Sequence, residues 1–526
     1  MKEGLSFPSR RSRHPAMAKK YYLTTPLYYV NSPLTVGGAY TTIVADVTAR
    51  YQRLRGREVF FLTGSDEHGQ KIQQAAQLQG IAPRLLADRV VGSFVELWDL
   101  LKISHDDFIR TTESRHEEVV REAFRRLVES GDIYPGKYEG WYCVPCETFL
   151  LESQLLGDSC PQCCRPVQRL SEENYFFRLS RYREPLLKLF EDNPDFVQPP
   201  SRRREMLSRL EGELCDVSVS RAAGWGIPVP VRPEQVIWVW FDALLNYVSA
   251  VGCFSPDDRF ARTWPADLHL MAKDIVWFHS ILWPAMLLAL DFPPPRKIFA
   301  HGWWTMKGEK ISKSKNEKIL AKEIVRRYGA DPFRYFMLRE IPLGQDGDFS
   351  IEALERRYRS DLANELGNLL QRSLSMVIKY RNGKMPRRGR DPRGDAILDD
   401  LAAFRNEYHE SMENLRFSQV LEGIWLRLRR ANRYIEESRP WQLHRSGEDE
   451  KLDGVLFALG NVLAVAAALL QPFMPTVTDL IRLQLDREAC PLPDIFSPGQ
   501  WSTKEFITGG RAVGTPAPLF PVDTMG

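Results

Sequence analysis

Two apolar runs in the first part of the chain, residues 21–25 and 59–63, are short, aromatic and typical of buried β-strands. Between them, apolar residues recur at helical spacing at Ile43, Val47, Tyr51 and Leu54. This pattern predicts a β-α-β unit whose strands lie parallel and are joined by a right-handed crossover. Ligands of such sheets bind at the carboxyl ends of the strands, so the loops that follow these strands are the first candidates for a site.

The same domain resumes after a long insertion. A mixed apolar segment at residues 236–241 and a longer run at residues 268–290 extend it. We therefore predict a Rossmann-type α/β domain formed by residues 20–133 and 231–345. Residues 134–230 form the predicted insertion.

Beyond about residue 350 the pattern changes to helices alone. Two sets of apolar residues each share one helix face: Leu362, Leu366, Leu370 and Leu374, and then Phe417, Leu421, Ile424 and Leu428. This predicts an all-α helical bundle over residues 346–489. We expect residues 1–19 to be a disordered or basic extension, and residues 490–526 form a C-terminal tail without assigned structure.

Charge and hydropathy narrow the class of protein. The 526 residues include 71 Lys and Arg against 68 Asp and Glu, a net charge of +3, which excludes a polybasic protein but allows local basic surfaces. The apolar stretch 455–470 would span about 24 Å as a helix, short of the roughly 30 Å hydrocarbon core of a bilayer. We expect no membrane segment. The basic N-terminus lacks the apolar core of a secretory signal, so we expect a cytoplasmic protein, with an organelle transit peptide as the alternative.

Four of the eight cysteines form two close pairs. Thirteen residues, 147–159, separate Cys143 and Cys146 from Cys160 and Cys163, and this spacing lets two tight turns offer four thiolates to one tetrahedral ion. We predict a structural Zn²⁺ site with no open position for chemistry. Two disulfides or idle thiols are the alternatives, and Cys164 is a possible substitute ligand.

Two loops are suited to phosphate groups. Thr35, Gly37 and Gly38 precede a predicted helix whose exposed N–H groups can receive phosphate. The segment GEKISKSK, residues 308–315, places Lys310 and Lys313 among hydroxyls in one short loop, which suits a polyphosphate. Taken singly, the loop at Gly37 and Gly38 could be an ordinary glycine turn. The loop at Lys310 and Lys313 could be an ordinary solvated basic loop.

Together, these two loops resemble the signature pair of class I aminoacyl-tRNA synthetases, H-I-G-H and K-M-S-K-S. From about residue 20 to residue 485 the chain resembles the methionyl-tRNA synthetase family in several blocks: YYLTTPLYYVN, LTGSDEHGQKI, YEGWYCVPCE, SRAAGWGIPVP, VWFDALLNY, AKDIVWFHSILWPAML, KISKSK, GQDGDFS and DLANELGNLLQR. The resemblance implies a Rossmann catalytic domain, a zinc-bearing connective insertion and an α-helical anticodon-binding domain. It also implies a ligase that joins L-methionine to tRNA(Met) with ATP and Mg²⁺, for initiation and elongation of translation.

The resemblance also implies roles for individual residues. In it, Asp66 holds the α-amino group of methionine and Arg221 orients Asp66. The remaining methionine-binding residues that it implies are Leu27, Tyr29, Trp240, Ala243, Tyr247, Ile275 and His279. The ATP-binding residues are Thr35, Gly37, Gly38, His68, Lys273, Asp274, Lys310 and Lys313. Lys313, assisted by Lys310, stabilises the pentacoordinate phosphorus.

In the bundle, Asn364, Asn368 and Arg372 form a polar stripe opposite the leucine face, which is ordinarily just a solvated surface. By resemblance, Asn368 and Arg372 read the CAU anticodon, and a base stacks on Trp441. His301 is interpreted as a hydrogen-bonded structural histidine. We expect a monomer.

The chain departs from the family pattern at the first signature, where Thr35 and Gly38 replace both histidines. This keeps a second hypothesis, a catalytically weakened paralogue that acts as a tRNA-binding protein. A third is a class I ligase for another amino acid, such as leucine or cysteine. The intact lysine loop and Asp66 argue against the paralogue, and the absence of a large editing insertion argues against leucine.

Overall fold

The computed structural model describes most of the chain. The described residues are 19–143, 148–150, 152, 155–161, 164–222, 224–306, 309–310, 320–486, 495–496 and 509–521.

A parallel sheet forms the centre of the first domain. Strand Lys20–Thr24 lies between Glu58–Asp66 and Leu268–Ala272, so the strand order reverses there. The other strands of this sheet are Tyr28–Tyr29, Asp107–Arg110, Ile298–His301 and Val197–Gln198. A reversal of this kind opens a crevice at the carboxyl ends of the strands, which is where ligands bind in open α/β sheets.

Helices cover both faces of this sheet, and helix Val36–Leu54 is the predicted crossover between the first two long strands. The other helices of the α/β part and its insertion are Gln70–Leu78, Pro83–Leu101, Ser114–Glu129, Leu179–Tyr182, Arg183–Asp192, Pro200–Glu211, Val239–Leu244, Asn246–Ser249, Arg259–Thr263, Lys273–Ile275, Phe278–Leu282, Trp283–Ala289, Ala321–Tyr328 and Ala330–Arg339. Short strands Trp304–Met306, Glu309–Lys310 and Gly347–Asp348 form a separate small sheet.

The insertion is built on a long antiparallel hairpin. Strands Ile133–Cys143 and Gln168–Phe177 pair from Ile133↔Phe177 to Tyr142↔Gln168. Thr148–Leu150 and Val217–Ser218 flank this hairpin, and Ser220–Arg221, Pro228–Val229 and Arg232–Ile237 form a further sheet. One strand inside the predicted insertion, Val197–Gln198, instead joins the main sheet beside Ile298–His301.

The C-terminal domain is all α-helical, as the spacing of apolar residues predicts. Its helices are Ile351–Arg357, Tyr358–Gly367, Asn368–Arg381, Pro392–Glu413, Phe417–Ser438, Pro440–Ser446, Asp449–Leu470 and Pro475–Leu485. All eight residues of the two predicted apolar faces are buried. Tyr358–Gly367 is a π-helix, so the predicted polar stripe begins in a wider turn than an α-helix.

Helix Asp449–Leu470 is long and apolar enough to cross a bilayer, and the described residues contain one such helix. Its apolar window is 94% buried inside the bundle. It is therefore the core helix of this domain, as the length of the apolar run predicts.

The described part of the C-terminal tail packs on the same domain. The backbone N–H of Met385 donates to the carbonyl of Arg511 at 2.9 Å, and Gly514 N–H donates to Gln484 at 2.9 Å. Leu519 and Phe520 are buried. Residues 509–521, which the sequence leaves unassigned, thus belong to the helical domain.

A buried ion pair of the first domain lies against the helical bundle. Asp46, in the middle of helix Val36–Leu54, lies 2.7 Å from Arg334, and neither side chain is exposed to solvent. Arg334 also donates to the carbonyls of Pro472 at 2.9 Å and Phe473 at 2.8 Å, in the turn after the core helix. Arg334 therefore ties the first helix of the α/β domain to the centre of the bundle.

Candidate active site

A cavity of about 380 Å³ opens at the carboxyl ends of the two central strands. Its walls come from the loop after Lys20–Thr24, the start of helix Val36–Leu54, the end of Glu58–Asp66, helices Val239–Leu244 and Asn246–Ser249, and the segments around residues 275 and 302. Its position follows from the reversal of strand order, as the β-α-β pattern predicts.

One part of this cavity is aromatic. All the residues that the sequence assigns to the amino acid line it: Leu27, Tyr29, Asp66, Trp240, Ala243, Tyr247, Ile275 and His279. The ring of Trp240 stacks on Phe278 with centroids 3.7 Å apart and planes at 7°. Stacked, largely apolar walls of this kind suit a soft thioether side chain.

His279 closes the aromatic part in a defined protonation state. Burial lowers the pKa of His279 to about 4, so its imidazole is neutral at physiological pH. Its Nδ1–H donates to the carbonyl of Ile275 at 3.0 Å, because a carbonyl can only accept. Its Nε2 therefore accepts from the Tyr247 hydroxyl at 2.8 Å. The two side chains hold each other, and the His279 ring is also held by the backbone.

Asp66 ends its strand at the cavity wall and is only 5% exposed. The next residue, Glu67, is buried and accepts from Arg110 Nε at 2.6 Å, Arg110 Nη2 at 2.9 Å and the Thr112 hydroxyl at 2.6 Å. The indole N–H of Trp225 donates to the carbonyl of Glu67 at 2.6 Å. These bonds fix the backbone that carries Asp66, so its carboxylate is presented by a rigid loop.

The other part of the cavity lies at the start of helix Val36–Leu54, where Thr35, Gly37 and Gly38 line it. A Cβ at Gly37 would meet nothing within 4 Å, whereas a Cβ at Gly38 would lie 2.6 Å from Leu34 Cδ2. Leu34 thus occupies the space that a side chain at position 38 needs. The departure from the family signature at Gly38 is matched by local packing.

Described residues at the two ends of the lysine loop pair with neighbouring segments. Leu320, just after the loop, forms an antiparallel bridge with Thr35, and strand Glu309–Lys310 pairs with Trp304–Met306. Leu320 therefore lies at the start of helix Val36–Leu54, beside Thr35 in the cavity wall. The side chain of Lys310 and the whole of Lys313 lie outside the described residues.

Asp274 lines the cavity and accepts from the indole N–H of Trp303 at 3.2 Å, whereas Lys273 and His68 lie outside the lining. The Lys273 ammonium lies 2.5 Å from Asp346 and 4.2 Å from the centroid of the Trp303 ring. His68 is buried and bonded to Asp242 at 2.7 Å. The ATP contacts predicted for Lys273 and His68 stay predictions.

Arg221 lies beside the aromatic wall. Its Nη1 donates to the carbonyl of Ser220 at 2.6 Å, and its guanidinium carbon lies 5.3 Å from the ring centroids of Trp238 and Tyr142. Its orienting role toward Asp66 stays a prediction.

The structure adds two cations that the sequence analysis did not assign. Lys71 lines the cavity with its ammonium 4.7 Å from the centroid of Tyr29, and it lies within the block that contains Asp66. Arg165 reaches the cavity from the insertion, and no local pattern could have placed it there. His301, interpreted from sequence as structural, bonds the Thr41 hydroxyl and the Gly302 carbonyl, each at 2.7 Å.

Two of the four paired cysteines are described. Cys143 and Cys160 are both buried in one small cluster with Leu150. The N–H of Cys160 donates to the carbonyl of Arg165 at 2.9 Å, and Cys164 N–H donates to Cys160, so Cys160 begins a tight turn. Cys146 and Cys163 lie outside the described residues. Among the described residues, no group of three or more His, Cys, Asp or Glu is arranged to hold a metal.

The predicted anticodon residues lie on the helical domain. Asn364 and Asn368 are exposed, and Arg372 is half-buried with its guanidinium 2.6 Å from Glu436. Trp441 is half-buried at the start of helix Pro440–Ser446. The stripe faces outward, opposite the buried leucines, as the spacing predicts.

Comparisons with known proteins match both domains. The family model "tRNA synthetases class I (M)" matches residues 21–170 and 164–374, and "Anticodon binding domain of methionyl tRNA ligase" matches residues 386–521. The methionine–tRNA ligase of Caldanaerobacter subterraneus subsp. tengcongensis is 50% identical over 463 residues, which is 87% of this chain and 73% of that protein. The methionine–tRNA ligase of Thermotoga maritima is 47% identical over 478 residues, which is 90% of this chain and 76% of that protein.

Solved structures agree with these matches. Mycobacterium tuberculosis methionyl-tRNA synthetase in complex with methionyl-adenylate has a TM-score of 0.90 at 39% identity, covering 96% of this chain and 100% of that one. The apo form of the Mycobacterium tuberculosis enzyme has a TM-score of 0.83 at 37% identity, covering 97% of this chain and 99% of that one. The chain therefore belongs to the methionyl-tRNA synthetase family.

Proposed function

We propose that the chain performs the reaction of its family: it activates L-methionine with ATP to methionyl-adenylate and transfers the methionyl group to the 3′ end of tRNA(Met). The observation that carries this proposal is a single cavity whose aromatic part meets a helix N-terminus. A thioether side chain fits the first and phosphate fits the second. Methionine–tRNA ligases match the chain at 43–50% identity over most of its length, which favours the ligase over the RNA-binding paralogue.

In the first step, the carboxylate of methionine attacks the α-phosphorus of ATP, and pyrophosphate leaves. We propose that Asp66 binds the methionine ammonium, that Arg221 orients Asp66, and that the aromatic wall holds the side chain. The start of helix Val36–Leu54, at Thr35 and Gly37, faces the phosphates. Lys313 and Lys310 act on the developing charge of the pentacoordinate phosphorus. Positioning and charge account for such a step, since the protein supplies little covalent chemistry.

Mg²⁺, when bound with ATP, would neutralise charge on the phosphates. Asp274, a carboxylate at the cavity wall, has the oxygen chemistry that Mg²⁺ prefers. In the second step, a terminal hydroxyl of tRNA attacks the mixed anhydride and AMP leaves.

The direct test is methionine-dependent exchange of pyrophosphate into ATP by the purified protein, followed by charging of tRNA(Met). Exchange that requires methionine and is not supported by leucine or cysteine is the expected result. Absence of exchange together with retained tRNA binding would instead favour the paralogue.

We also propose that the two cysteine pairs hold one structural Zn²⁺. Four thiolates leave no open coordination position, so the ion would stabilise the insertion and take no part in the reaction. The shared burial of Cys143 and Cys160, one from each pair, supports a common site.

We expect the purified protein to contain about one zinc per chain by elemental mass spectrometry. Cys143→Ser should lose the metal, because a hydroxyl is a poor substitute for a thiolate ligand. Cys253→Ser is the matched control: Cys253 is also buried but belongs to neither pair, so zinc should be retained. Full zinc content in Cys143→Ser would contradict this assignment.

The outward polar stripe and Trp441 are proposed to read the anticodon, with Asn368 and Arg372 bonding base edges and Asn364 extending the same surface. We predict that Trp441→Ala lowers the rate of tRNA charging by about 10-fold or more, since a stacked base contributes about 1–3 kcal/mol. Pyrophosphate exchange should be unchanged. His444→Ala, on the same short helix, is the control and should leave charging nearly intact. An equal fall in exchange and charging would rule out this role for Trp441.

We propose further that the protein acts in the cytoplasm as a monomer, without a membrane. Burial of helix Asp449–Leu470 inside the bundle supports the last point.

A further inference from the structure

Behind the aromatic wall, three buried residues form a hydrogen-bonded chain. His68 Nδ1 lies 2.7 Å from Asp242 Oδ2, and His116 Nε2 lies 2.7 Å from Asp242 Oδ1. The side chains of Asp242 and His116 are fully buried, and that of His68 is 4% exposed. A carboxylate only accepts, so each imidazole donates the N–H that faces Asp242.

This chain is closed at its outer end. His116 Nδ1 lies 2.8 Å from the hydroxyl of Ser249. Burial alone would raise the pKa of Asp242, but His68 and His116 hold it below its ordinary value, so the group is a carboxylate. Because both of its oxygens are bonded, the orientation of Asp242 is fixed from two sides.

The residues joined by this chain lie next to two different walls of the cavity, each beside residues that line it. His68 follows Asp66 by two positions, in the loop that presents the proposed ammonium-binding carboxylate. Asp242 lies on helix Val239–Leu244, between Trp240 and Ala243, which line the proposed side-chain pocket. The bond between His68 and Asp242 therefore fastens the ammonium wall to the side-chain wall.

We propose that Asp242 is a positioning residue that sets the distance between Asp66 and the aromatic pocket, and that it thereby selects amino acids of the length of methionine. This inference rests on the proposed function of the cavity. The two walls recognise opposite ends of one small molecule, so their separation measures its length. A pocket favours one of two substrates that differ by one methylene by about 10–200-fold in kcat/KM. That ratio requires walls that keep their separation when the longer substrate binds.

The test is Asp242→Asn, which keeps the size of the side chain but replaces one accepting oxygen with a donor that faces an imidazole N–H. Exchange kinetics are measured with methionine and with ethionine, which is one methylene longer. We expect KM for methionine to rise about 10-fold and the preference for methionine over ethionine to fall about 5–10-fold.

Asp132→Asn is the matched control. Asp132 is also a buried carboxylate and accepts from the Tyr182 hydroxyl at 2.9 Å and from Arg181 at 3.1 Å, but it lies outside the cavity lining. Its loss should change stability without changing the preference for methionine over ethionine. An unchanged preference for methionine over ethionine in Asp242→Asn would overturn the proposal.

Ser249→Ala covers the case in which Asp242→Asn does not fold. It removes the outermost bond of this chain, together with the bond from the Ser249 hydroxyl to the carbonyl of Asn246 at 3.2 Å. We expect a fall in the preference of about 2–3-fold, and no fall in this variant would also overturn the proposal. A failure of the proposed function would give a different result from a failure of this inference: the unaltered protein would show no methionine-dependent exchange at all.

Discussion

Replacing Asp66 by Asn should lower kcat/KM for methionine in pyrophosphate exchange by about 100–1000-fold. The carboxylate is 5% exposed, at the wall of a cavity whose proposed ligand carries an ammonium group. A neutral amide leaves that ammonium without a compensating charge at a buried wall, which costs about 3–4 kcal/mol, and each 1.4 kcal/mol is a factor of ten. The fall should be seen in kcat/KM for methionine, whereas KM for ATP should stay nearly constant.

The measurement compares exchange kinetics of the Asn variant with those of Asp107→Asn. Asp107 lies on the adjacent strand, where its oxygens accept from Arg115 at 2.7 and 3.0 Å, and it is not part of the cavity lining. That control should retain activity. A methionine kcat/KM within fivefold of the unaltered protein in Asp66→Asn would refute the ammonium-binding role.

Replacing Arg334 by Ala should lower the free energy of unfolding by about 3–5 kcal/mol, the largest effect on stability that we expect. Arg334 and Asp46 are both fully buried and lie 2.7 Å apart at the junction of the two domains. The alanine leaves the carboxylate of Asp46 with Arg50 as its remaining ion-pair partner among the described residues. It also leaves the carbonyls of Pro472 and Phe473 without the donors that now satisfy them.

The loss of stability in Arg334→Ala should be smaller at acidic pH than at neutral pH. Burial alone would raise the pKa of Asp46, but Arg334 and Arg50 hold it below its ordinary value of 3.8. A depressed pKa contributes stability above the unfolded value, and that contribution is lost as pH falls through the folded value. The difference between Arg334→Ala and the unaltered protein should therefore hold from neutral pH down to about pH 4 and shrink below it.

Urea denaturation followed by tryptophan fluorescence gives the unfolding free energies. Arg326→Ala is the control: Arg326 pairs with Glu96 at 2.9 Å, but its side chain is 60% exposed, and such surface pairs contribute about 1 kcal/mol or less. Replacing the buried pair together, as Asp46→Leu with Arg334→Met, should recover part of the loss because no fully buried carboxylate is left without Arg334, and Arg50 is 17% exposed to solvent. A loss below 1 kcal/mol in Arg334→Ala would show that the pair is not needed.

Much of this architecture follows from local sequence. The first β-α-β unit follows from apolar spacing, and so does the change to helices after residue 350. The two buried faces that begin at Leu362 and Phe417 also follow from it, because helix and strand place side chains at different periods along the chain. The blocks that resemble the family also indicated the eight residues around the aromatic part of the cavity, since chemistry and spacing there lie within short segments.

Other features depended on contacts between distant segments. Val197–Gln198 is too short to stand out in the sequence, and its place in the main sheet depends on the exposed edge of Ile298–His301. The pairing of Asp46 with Arg334 and of His68 with Asp242 joins residues far apart in the chain, and Arg165 reaches the cavity from the insertion. Local periodicity reports which face of an element is buried. Only the folded chain decides which distant residue that face contacts. A buried charge, for example, is stable only with a partner, and the fold brings that partner from a distant segment.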